Sequence, residues 1–147
     1  MEVLIMIYTS LTRKALVISF EAHKNQKDKA GVPYVFHPYE VASRQTDEYA
    51  AAAALLHDTL EDTSLTVTDL EDASIPRPVI EAVCLLTHTP GEPYLDYVRK
   101  IKTNPIARSV KIADITHNMD STRMEQPTPG WKEKRKLYEK ALEILEE

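Results

Sequence analysis

The sequence HDTLED at residues 57–62 follows directly on an alanine-rich apolar segment, at residues 49–56. It supplies four groups with acid–base or metal-binding chemistry: His57, Asp58, Glu61 and Asp62. The preceding segment has the composition of a buried helix. Charged groups beside a core are costly unless they are paired or bind a metal. The residue types therefore predict an ion-pair cluster or a metal site at this point.

Two other segments carry residues of the same chemistry. His37 lies in VPYVFHPYEVA, and Asp114 lies in VKIADITHNMD, where Asn118 follows it by one helical turn. Histidine and carboxylate together suit Mn²⁺, Fe²⁺, Zn²⁺ or Mg²⁺. Helical bundles often bind metals through side chains on facing helices. Two His and two Asp from separate helices would form one divalent-metal site with open positions for water and substrate.

The acids Glu61 and Asp62 follow the His57–Asp58 pair by one turn, so we expect them to lie over the same site. There they would act as general acid and base rather than as metal ligands. A histidine on an apolar helix is more often a core or capping residue than a ligand. The remaining histidines are therefore left out of the predicted metal site; they are His23, His88 and His117.

The elements that must position these residues are predicted to be helices. Only three glycines occur in 147 residues, and no segment alternates apolar and polar residues as a half-buried strand would. Residues 47–62 form the most strongly helical segment, and Pro105 divides two later helices. The sequence predicts an all-α, single-domain helical bundle over residues 1–147.

Composition excludes several classes of function. The chain is 43% hydrophobic and 28% charged, as is usual for a globular domain, and its net charge of −5 argues against broad binding to nucleic acid or acidic membranes. The apolar run near the N-terminus is too short to cross a bilayer. A single cysteine, Cys84, provides no disulfide framework, which favours a cytoplasmic location.

The three motifs, taken in order, resemble the HD superfamily of metal-dependent phosphohydrolases. The closest likeness is to the hydrolase domain of RelA/SpoT-type enzymes and to the stand-alone small alarmone hydrolases. The matching segments run from Ala22 to Met119 and are AHKNQKDKAGVPYVFHPYEVA, AAAALLHDTLEDT and VKIADITHNM. Three motifs in order are far more specific than one. The resemblance implies an HD-type fold and removal of pyrophosphate from the 3′ position of (p)ppGpp, without a synthetase domain.

The resemblance also implies roles for individual residues. The implied metal ligands, with Mn²⁺ as the usual metal, are His37, His57, Asp58 and Asp114. The implied catalytic pair is Glu61 and Asp62. The substrate would be a small-molecule nucleotide, whose negative charge requires basic and polar partners. The predicted substrate-binding residues are Lys29, Lys111, Asn118 and Ser121. Less specific candidates are Arg99 and Arg108 for phosphate and Tyr94 and Tyr97 for the base or ribose, although helix-surface arginines are usually solvated and tyrosines usually pack in cores.

One departure from the family pattern affects base recognition. Asp28 stands where the resemblance implies an Arg that packs on the guanine base, and a carboxylate offers no cation–π stacking. We therefore expect weaker selection for guanine, unless Asp28 points into solvent and Lys29 performs the recognition.

Two alternatives remain open from the sequence. The first is an HD phosphohydrolase acting on another nucleotide or phosphoester, such as a nucleoside monophosphate or NADPH. The second is a non-enzymatic HD binding module, which the intact pair of Glu61 and Asp62 disfavours.

Overall fold

The residues described by this computed structural model, 5–123 and 128–147, form α-helices joined by short loops. The helices in chain order are α1 (Ser10–His23), α2 (Phe36–Ser43), α3 (Glu48–Leu56), α4 (Thr59–Asp62), α5 (Val67–Asp72), α6 (Arg77–Leu86), α7 (Tyr94–Lys102), α8 (Pro105–Asn118) and α9 (Trp131–Glu146). A short 3₁₀ turn spans Ser121–Arg123. No β-strand occurs within these two ranges, so the predicted all-α fold is confirmed. No helix in them is long and apolar enough to cross a membrane.

Helix α3 forms the centre of the bundle. Every residue from Ala50 to Leu56 is buried, and α1, α2, α6 and α8 all pack against this helix. A helix that is apolar on all sides is typical of a position fully enclosed by others. The small alanine side chains allow the surrounding helices to approach its backbone. This close packing brings α2 and α8, which carry His37 and Asp114, to the end of α3.

A larger side chain in α3 should destabilise the fold. Ala53 is fully buried, so Ala53→Leu would force neighbouring side chains out of favourable rotamers at a cost of about 1–3 kcal/mol. Denaturant unfolding would measure this loss. Lys14→Leu, on the exposed face of α1, is the matched control and should change stability by less than about 0.5 kcal/mol. Equal effects of the two variants would contradict the packing argument.

The segment 47–62, predicted as one helix, is in fact two. Helix α3 ends at Leu56 and α4 begins at Thr59. The carbonyl oxygen of Ala54 accepts hydrogen bonds from both the backbone N–H of His57, at 3.4 Å, and its ring Nδ1, at 2.5 Å. Asp58 then adopts φ −101° and ψ −2°, in the bridge region between helix and strand conformations. The break therefore falls at His57 and Asp58, two of the predicted metal ligands.

Candidate functional site

The structure brings together the four side chains predicted as metal ligands. Asp114 Oδ1 lies 2.8 Å from His37 Nε2 and 3.4 Å from His57 Nε2. Asp58 Oδ2 lies 3.1 Å from His57 Nε2 and 4.0 Å from His37 Nε2. Candidate ligand atoms of His37, His57 and Asp58 all lie within 4.8 Å of one another. A cation at this point would be within reach of His37, His57 and Asp58, and Asp114, which is outside that group of three, lies against both histidines.

The chemistry of His57 fits a metal ligand. Its Nδ1 faces the Ala54 carbonyl oxygen, which can only accept a hydrogen bond, so Nδ1 carries the proton in the neutral ring. Nε2 of that neutral ring has a lone pair, and it is buried between Asp58 Oδ2 at 3.1 Å and Asp114 Oδ1 at 3.4 Å. Between two carboxylates this nitrogen is occupied either by a proton or by a cation. A divalent cation at Nε2 would satisfy it, with the carbonyl fixing the tautomer.

The electrostatics of the cluster favour a bound positive charge. Burial acts to raise the pKa of Asp58, but the neighbouring His57 outweighs it and lowers that pKa to about 2. Burial also acts to raise the pKa of Asp114, but Lys111 and the two histidines lower it well below its ordinary value. Burial acts to lower the pKa of His57, yet the two carboxylates raise it well above the usual range. Both carboxylates are thus ionised in a buried site, where they attract a proton or a metal cation.

Two aromatic residues outside the predicted set orient the ligands. The Tyr34 hydroxyl donates to Asp58 Oδ2 at 2.5 Å. The ring of His117 stacks on that of His37, with 2.8 Å between their Nδ1 atoms. Burial and the charge of Arg123 lower the pKa of His117 to about 4, so its ring is neutral at neutral pH. A neutral His117 can accept at Nδ1 a hydrogen bond from the Nδ1–H of His37, which leaves the lone pair of His37 Nε2 available to a metal.

Two predicted substrate-binding residues contact Asp114 instead of standing free in the site. Lys111 Nζ donates to Asp114 Oδ2 at 2.9 Å, and Asn118 Nδ2 donates to Asp114 Oδ1 at 3.1 Å. The ammonium of Lys111 also lies 5.8 Å from the ring centre of Tyr94 and 5.2 Å from that of Tyr97. Both Lys111 and Asn118 still line the adjoining cavity. Their first role is to fix the orientation of the Asp114 carboxylate.

The less specific candidates from the sequence do not line that cavity. Tyr97 is buried and donates through its hydroxyl to the Leu86 carbonyl at 2.5 Å. Arg99 forms an exposed ion pair with Asp96 on its own helix. Arg108 donates to the carbonyl oxygen of Leu145 near the end of α9. Tyr94 packs beside Tyr97, with 5.8 Å between ring centres.

A cavity of about 490 Å³ opens beside the four-residue cluster. It is lined by Lys27, Asp28, Lys29, Ala30, Tyr34, Asp58, Glu61, Asp62, Lys111, Asp114, Asn118, Asp120, Arg123, Thr128, Trp131, Lys134 and Tyr138. The volume is within the range of small-molecule sites. Because Asp58 and Asp114 belong to both groups, a molecule in the cavity would lie against a cation bound by the cluster.

The predicted acidic pair lies at this cavity on α4. Glu61 Oε1 accepts a hydrogen bond from the backbone N–H of His88 at 2.5 Å, which fixes one carboxylate oxygen. Burial, followed by the charge of Asp58, raises the pKa of Asp62. A carboxyl group with a raised pKa is better suited to exchange protons near neutral pH. Glu61, Asp62 and Asp114 are all outside the group of three converging ligand residues, but Asp114 differs from the acidic pair because its carboxylate lies 2.8 Å from His37 Nε2 and 3.4 Å from His57 Nε2.

A chain of hydrogen bonds ties the end of α4 to α1. Gln26 Nε2 donates to the carbonyl oxygen of Asp62 at 2.9 Å, and Gln26 Oε1 lies 2.9 Å from His23 Nδ1. His23 is 1% exposed, so the link is anchored in the core. Through Gln26, the buried His23 is thus linked to the backbone at Asp62.

Basic residues from four separate segments line the cavity. Besides Lys111 on α8, Lys29 comes from the loop after α1 and Arg123 from the 3₁₀ turn. Lys134 comes from α9, where burial and then the charge of Lys29 lower its pKa. Two ammonium groups close enough to affect each other would favour an anion between them. The side chain of Ser121, the remaining predicted contact, lies outside the part of the chain that the structure describes.

Helix α9 contributes cavity residues that the sequence did not identify. Trp131, Lys134 and Tyr138 recur at spacings of three and four, so they lie on one face of the helix. Burial raises the pKa of Tyr138 to about 12, so its hydroxyl stays protonated and can donate a hydrogen bond. The spacing alone signals only an amphipathic helix, and no motif marks this face as part of a site.

The fold and the cluster define an α-helical protein with a His–Asp site suited to a divalent metal. No family model matches the chain. It is 34% identical over 142 residues to the guanosine-3′,5′-bis(diphosphate) 3′-pyrophosphohydrolase MESH1 of Mus musculus, covering 86% of this chain and 79% of that protein. A solved structure of a metazoan ortholog of SpoT that hydrolyzes ppGpp superposes with a TM-score of 0.73 at 26% identity, over 95% of this chain and 88% of that one.

Longer proteins share the same region. The chain is 34% identical over 130 residues to the GTP pyrophosphokinase rsh of Brucella melitensis, covering 75% of this chain but only 16% of that protein. It spans 17% of the GTP pyrophosphokinase of Myxococcus xanthus. The chain belongs to the family of HD-type hydrolases that includes MESH1 and the hydrolase regions of RelA/SpoT-type enzymes. The resemblance found in the three sequence motifs is thereby confirmed.

Proposed function

We propose that this protein is a metal-dependent (p)ppGpp 3′-pyrophosphohydrolase that uses Mn²⁺. The observation that carries the proposal is the convergence of His37, His57, Asp58 and Asp114 beside a cavity edged by Glu61 and Asp62. That arrangement combines ligands for a divalent cation with unligated carboxylates, the components of metal-assisted hydrolysis. Its relatives MESH1 and the SpoT ortholog hydrolyse the same class of nucleotide.

Each side chain at the cavity would have a separate role in hydrolysis. A divalent cation, when bound, supplies Lewis acidity toward a phosphate oxygen and toward water. Glu61, fixed by the His88 N–H, orients the attacking water with its other oxygen. Asp62 accepts a proton from that water as its oxygen bonds to the phosphorus next to the ribose, and its raised pKa suits it to release a proton to the ribose 3′-oxygen, which leaves as GDP. Lys29 and Lys134 stand at the cavity to offset the negative charge of the nucleotide.

Turnover of ppGpp tests this proposal directly. The purified protein with Mn²⁺ should convert ppGpp to GDP and pyrophosphate, and a chelator should stop the reaction until Mn²⁺ is restored. Both products would be followed by ion-exchange chromatography. Parallel reactions with Mg²⁺ and Zn²⁺ would compare the metals. Metal binding without release of pyrophosphate from ppGpp would contradict the proposal.

A second candidate is hydrolysis of another nucleotide by the same site. The observation that favours it is Asp28, a carboxylate on the cavity wall where the family resemblance implies a base-stacking arginine. A panel that includes nucleoside monophosphates and NADPH beside ppGpp separates the two candidates. Faster turnover of a panel member than of ppGpp would favour this second function.

Removal of the Tyr34 hydroxyl should weaken metal binding. Tyr34→Phe keeps the ring but deletes the hydrogen bond to Asp58 Oδ2. Loss of a partner that orients a ligand typically costs about 10–100-fold in metal affinity. Calorimetric titration of Mn²⁺ into the metal-free protein would measure the change. Tyr8→Phe, which loses a bond to Tyr39 on the exposed surface, is the matched control and should bind Mn²⁺ as the parent does.

A further inference from the structure

Arg123 lies in the wall of the cavity and is held there by contacts from two directions. Its Nη1 donates to the carbonyl oxygen of His117 at 3.1 Å and to Asn118 Oδ1 at 3.4 Å. Its Nη2 lies 3.7 Å from Asp28 Oδ2 on the opposite loop. The side chain is 24% exposed, so most of it is enclosed by protein. These contacts fix the plane of the guanidinium within the cavity wall.

Asp28 is itself fixed and is not directed into solvent. Its Oδ1 accepts hydrogen bonds from the backbone N–H groups of Ala30, at 2.9 Å, and Val32, at 3.0 Å. Its other oxygen faces Arg123. Both oxygens are therefore engaged with the protein, so Asp28 is poorly placed to accept hydrogen bonds from a nucleotide base. Its role is to stabilise the loop and to position Arg123.

The ion pair with Asp28 decides which part of a nucleotide Arg123 would bind. A guanidinium already paired with a carboxylate attracts phosphate less strongly than an unpaired cation does. Lys29 and Lys134 also line the cavity, and neither forms an ion pair within the described residues, so both are better partners for phosphate than Arg123. Because Nη1 already donates to His117 and Asn118, what Arg123 retains is its flat face and the edge formed by the N–H groups of Nε and Nη2. These features match a nucleobase: its face for stacking and its acceptor edge for hydrogen bonds.

We propose that Arg123, positioned by Asp28, selects guanine over adenine by donating to the O6 and N7 acceptors of the base. This inference rests on the proposed function, because it concerns the base of the same nucleotide. Guanine presents two acceptors on that edge, whereas adenine presents one acceptor and an amino donor. The N–H donors of a guanidinium can bind both acceptors of guanine, whereas the amino group of adenine presents a donor to a donor. In this protein the arginine that contacts the base would then be Arg123, and not a residue at position 28, where Asp28 stands.

The test compares kcat/KM for ppGpp and for its adenosine counterpart, ppApp. Arg123→Ala should lower the ratio of the two by about tenfold, the effect of losing one good bidentate base contact. Arg123→Lys keeps the charge but loses the planar fork, so it should lower the ratio nearly as much. Asp28→Asn leaves Oδ1 to accept from the loop but removes the ion pair, and should have a smaller effect in the same direction.

The inosine counterpart of the substrate identifies the edge that is recognised. Hypoxanthine keeps O6 and N7 but lacks the 2-amino group of guanine, so the parent protein should hydrolyse this compound about as well as ppGpp. Hydrolysis of the inosine compound as slow as that of ppApp would instead assign selection to the 2-amino group and overturn the proposal. The control is Arg135→Ala, which removes an exposed arginine paired with Glu139 and should leave all ratios unchanged.

The outcomes separate this inference from the proposed function. If the parent protein does not hydrolyse ppGpp, both the proposed function and the proposed role of Arg123 are wrong. If the parent hydrolyses ppGpp and the Arg123 variants keep its ratio to ppApp, only the inference is overturned. Thermal unfolding of each variant checks its fold, and Arg123→Lys provides the comparison if Arg123→Ala is unstable. A loss of stability without a change in ratio would assign Arg123 a structural role.

Discussion

Asp58→Ala should abolish both metal binding and turnover. Asp58 Oδ2 lies 3.1 Å from His57 Nε2 and 4.0 Å from His37 Nε2, so this oxygen belongs to the centre of the proposed ligand group. Its removal leaves one carboxylate, Asp114, to balance a divalent charge in a buried site. We expect hydrolysis of ppGpp to fall to the uncatalysed background. The measurements are Mn²⁺ content after dialysis and pyrophosphate release from ppGpp.

Asp72→Ala is the matched control, because Asp72 is an exposed aspartate at the end of α5. It should keep both the metal and the activity of the parent. Circular dichroism of the Asp58 variant would show whether the helices remain, since the change also deprives the Tyr34 hydroxyl of its acceptor. A folded Asp58→Ala protein that still retains Mn²⁺ at parental affinity would refute the proposed ligand set.

Helical periodicity predicted where helices form, but it did not predict where a helix is broken. The alanine-rich segment predicted a buried helix, and Asn104–Pro105 predicted the start of α8. There the Asn104 side chain accepts a hydrogen bond from the Ala107 N–H at 3.0 Å. The break at residues 57–58 was not predicted. It depends on a side chain, the His57 ring, that competes for a backbone carbonyl, and residue spacing contains no signal for such competition.

The candidate ligands could be found from the sequence because they occur in short motifs, whereas their partners could not. Tyr34 lies 24 residues before Asp58, and His117 lies 80 residues after His37. Such pairs are formed by the packing of helices, which spacing along the chain does not encode. His117 was excluded from the site as a core histidine, and its contact with the His37 ring gives it a role beside a ligand.

Basic residues were the least predictable part of the site, because a cation pairs with whichever acceptor the fold places nearest. Arg99 pairs with an acid on its own helix, and Lys111 with Asp114. No sequence pattern points to Arg123, because its partner Asp28 lies on a loop that is distant from it in sequence. Composition shows how many cations a chain has, but their partners depend on tertiary structure.

Replacing Glu61 and Asp62 together should separate metal binding from chemistry. Glu61→Gln with Asp62→Asn preserves side-chain shape, and the amide oxygen introduced at position 61 can still accept the hydrogen bond from the His88 N–H. The carboxylates that lie against His37 and His57 are those of Asp58 and Asp114, which this variant keeps, so Mn²⁺ should bind as in the parent. Neither amide can take a proton from water, and loss of acid–base catalysis typically costs about 10²–10⁴-fold in turnover. Single-turnover hydrolysis of ppGpp measures the chemical step without product release.

The chain provides a matched control for this variant in a second Glu–Asp pair, Glu71 and Asp72, on the exposed end of α5. Glu71→Gln with Asp72→Asn removes the same two charges from the protein and should leave kcat unchanged. A comparison of the two double variants therefore cancels any effect of net charge. If the Glu61/Asp62 variant binds Mn²⁺ and still hydrolyses ppGpp at the parental rate, the proton must be transferred by another group at the cavity. If instead it loses Mn²⁺, the acidic pair acts as part of the metal site, and the division between ligands and catalytic acids proposed for this protein is wrong.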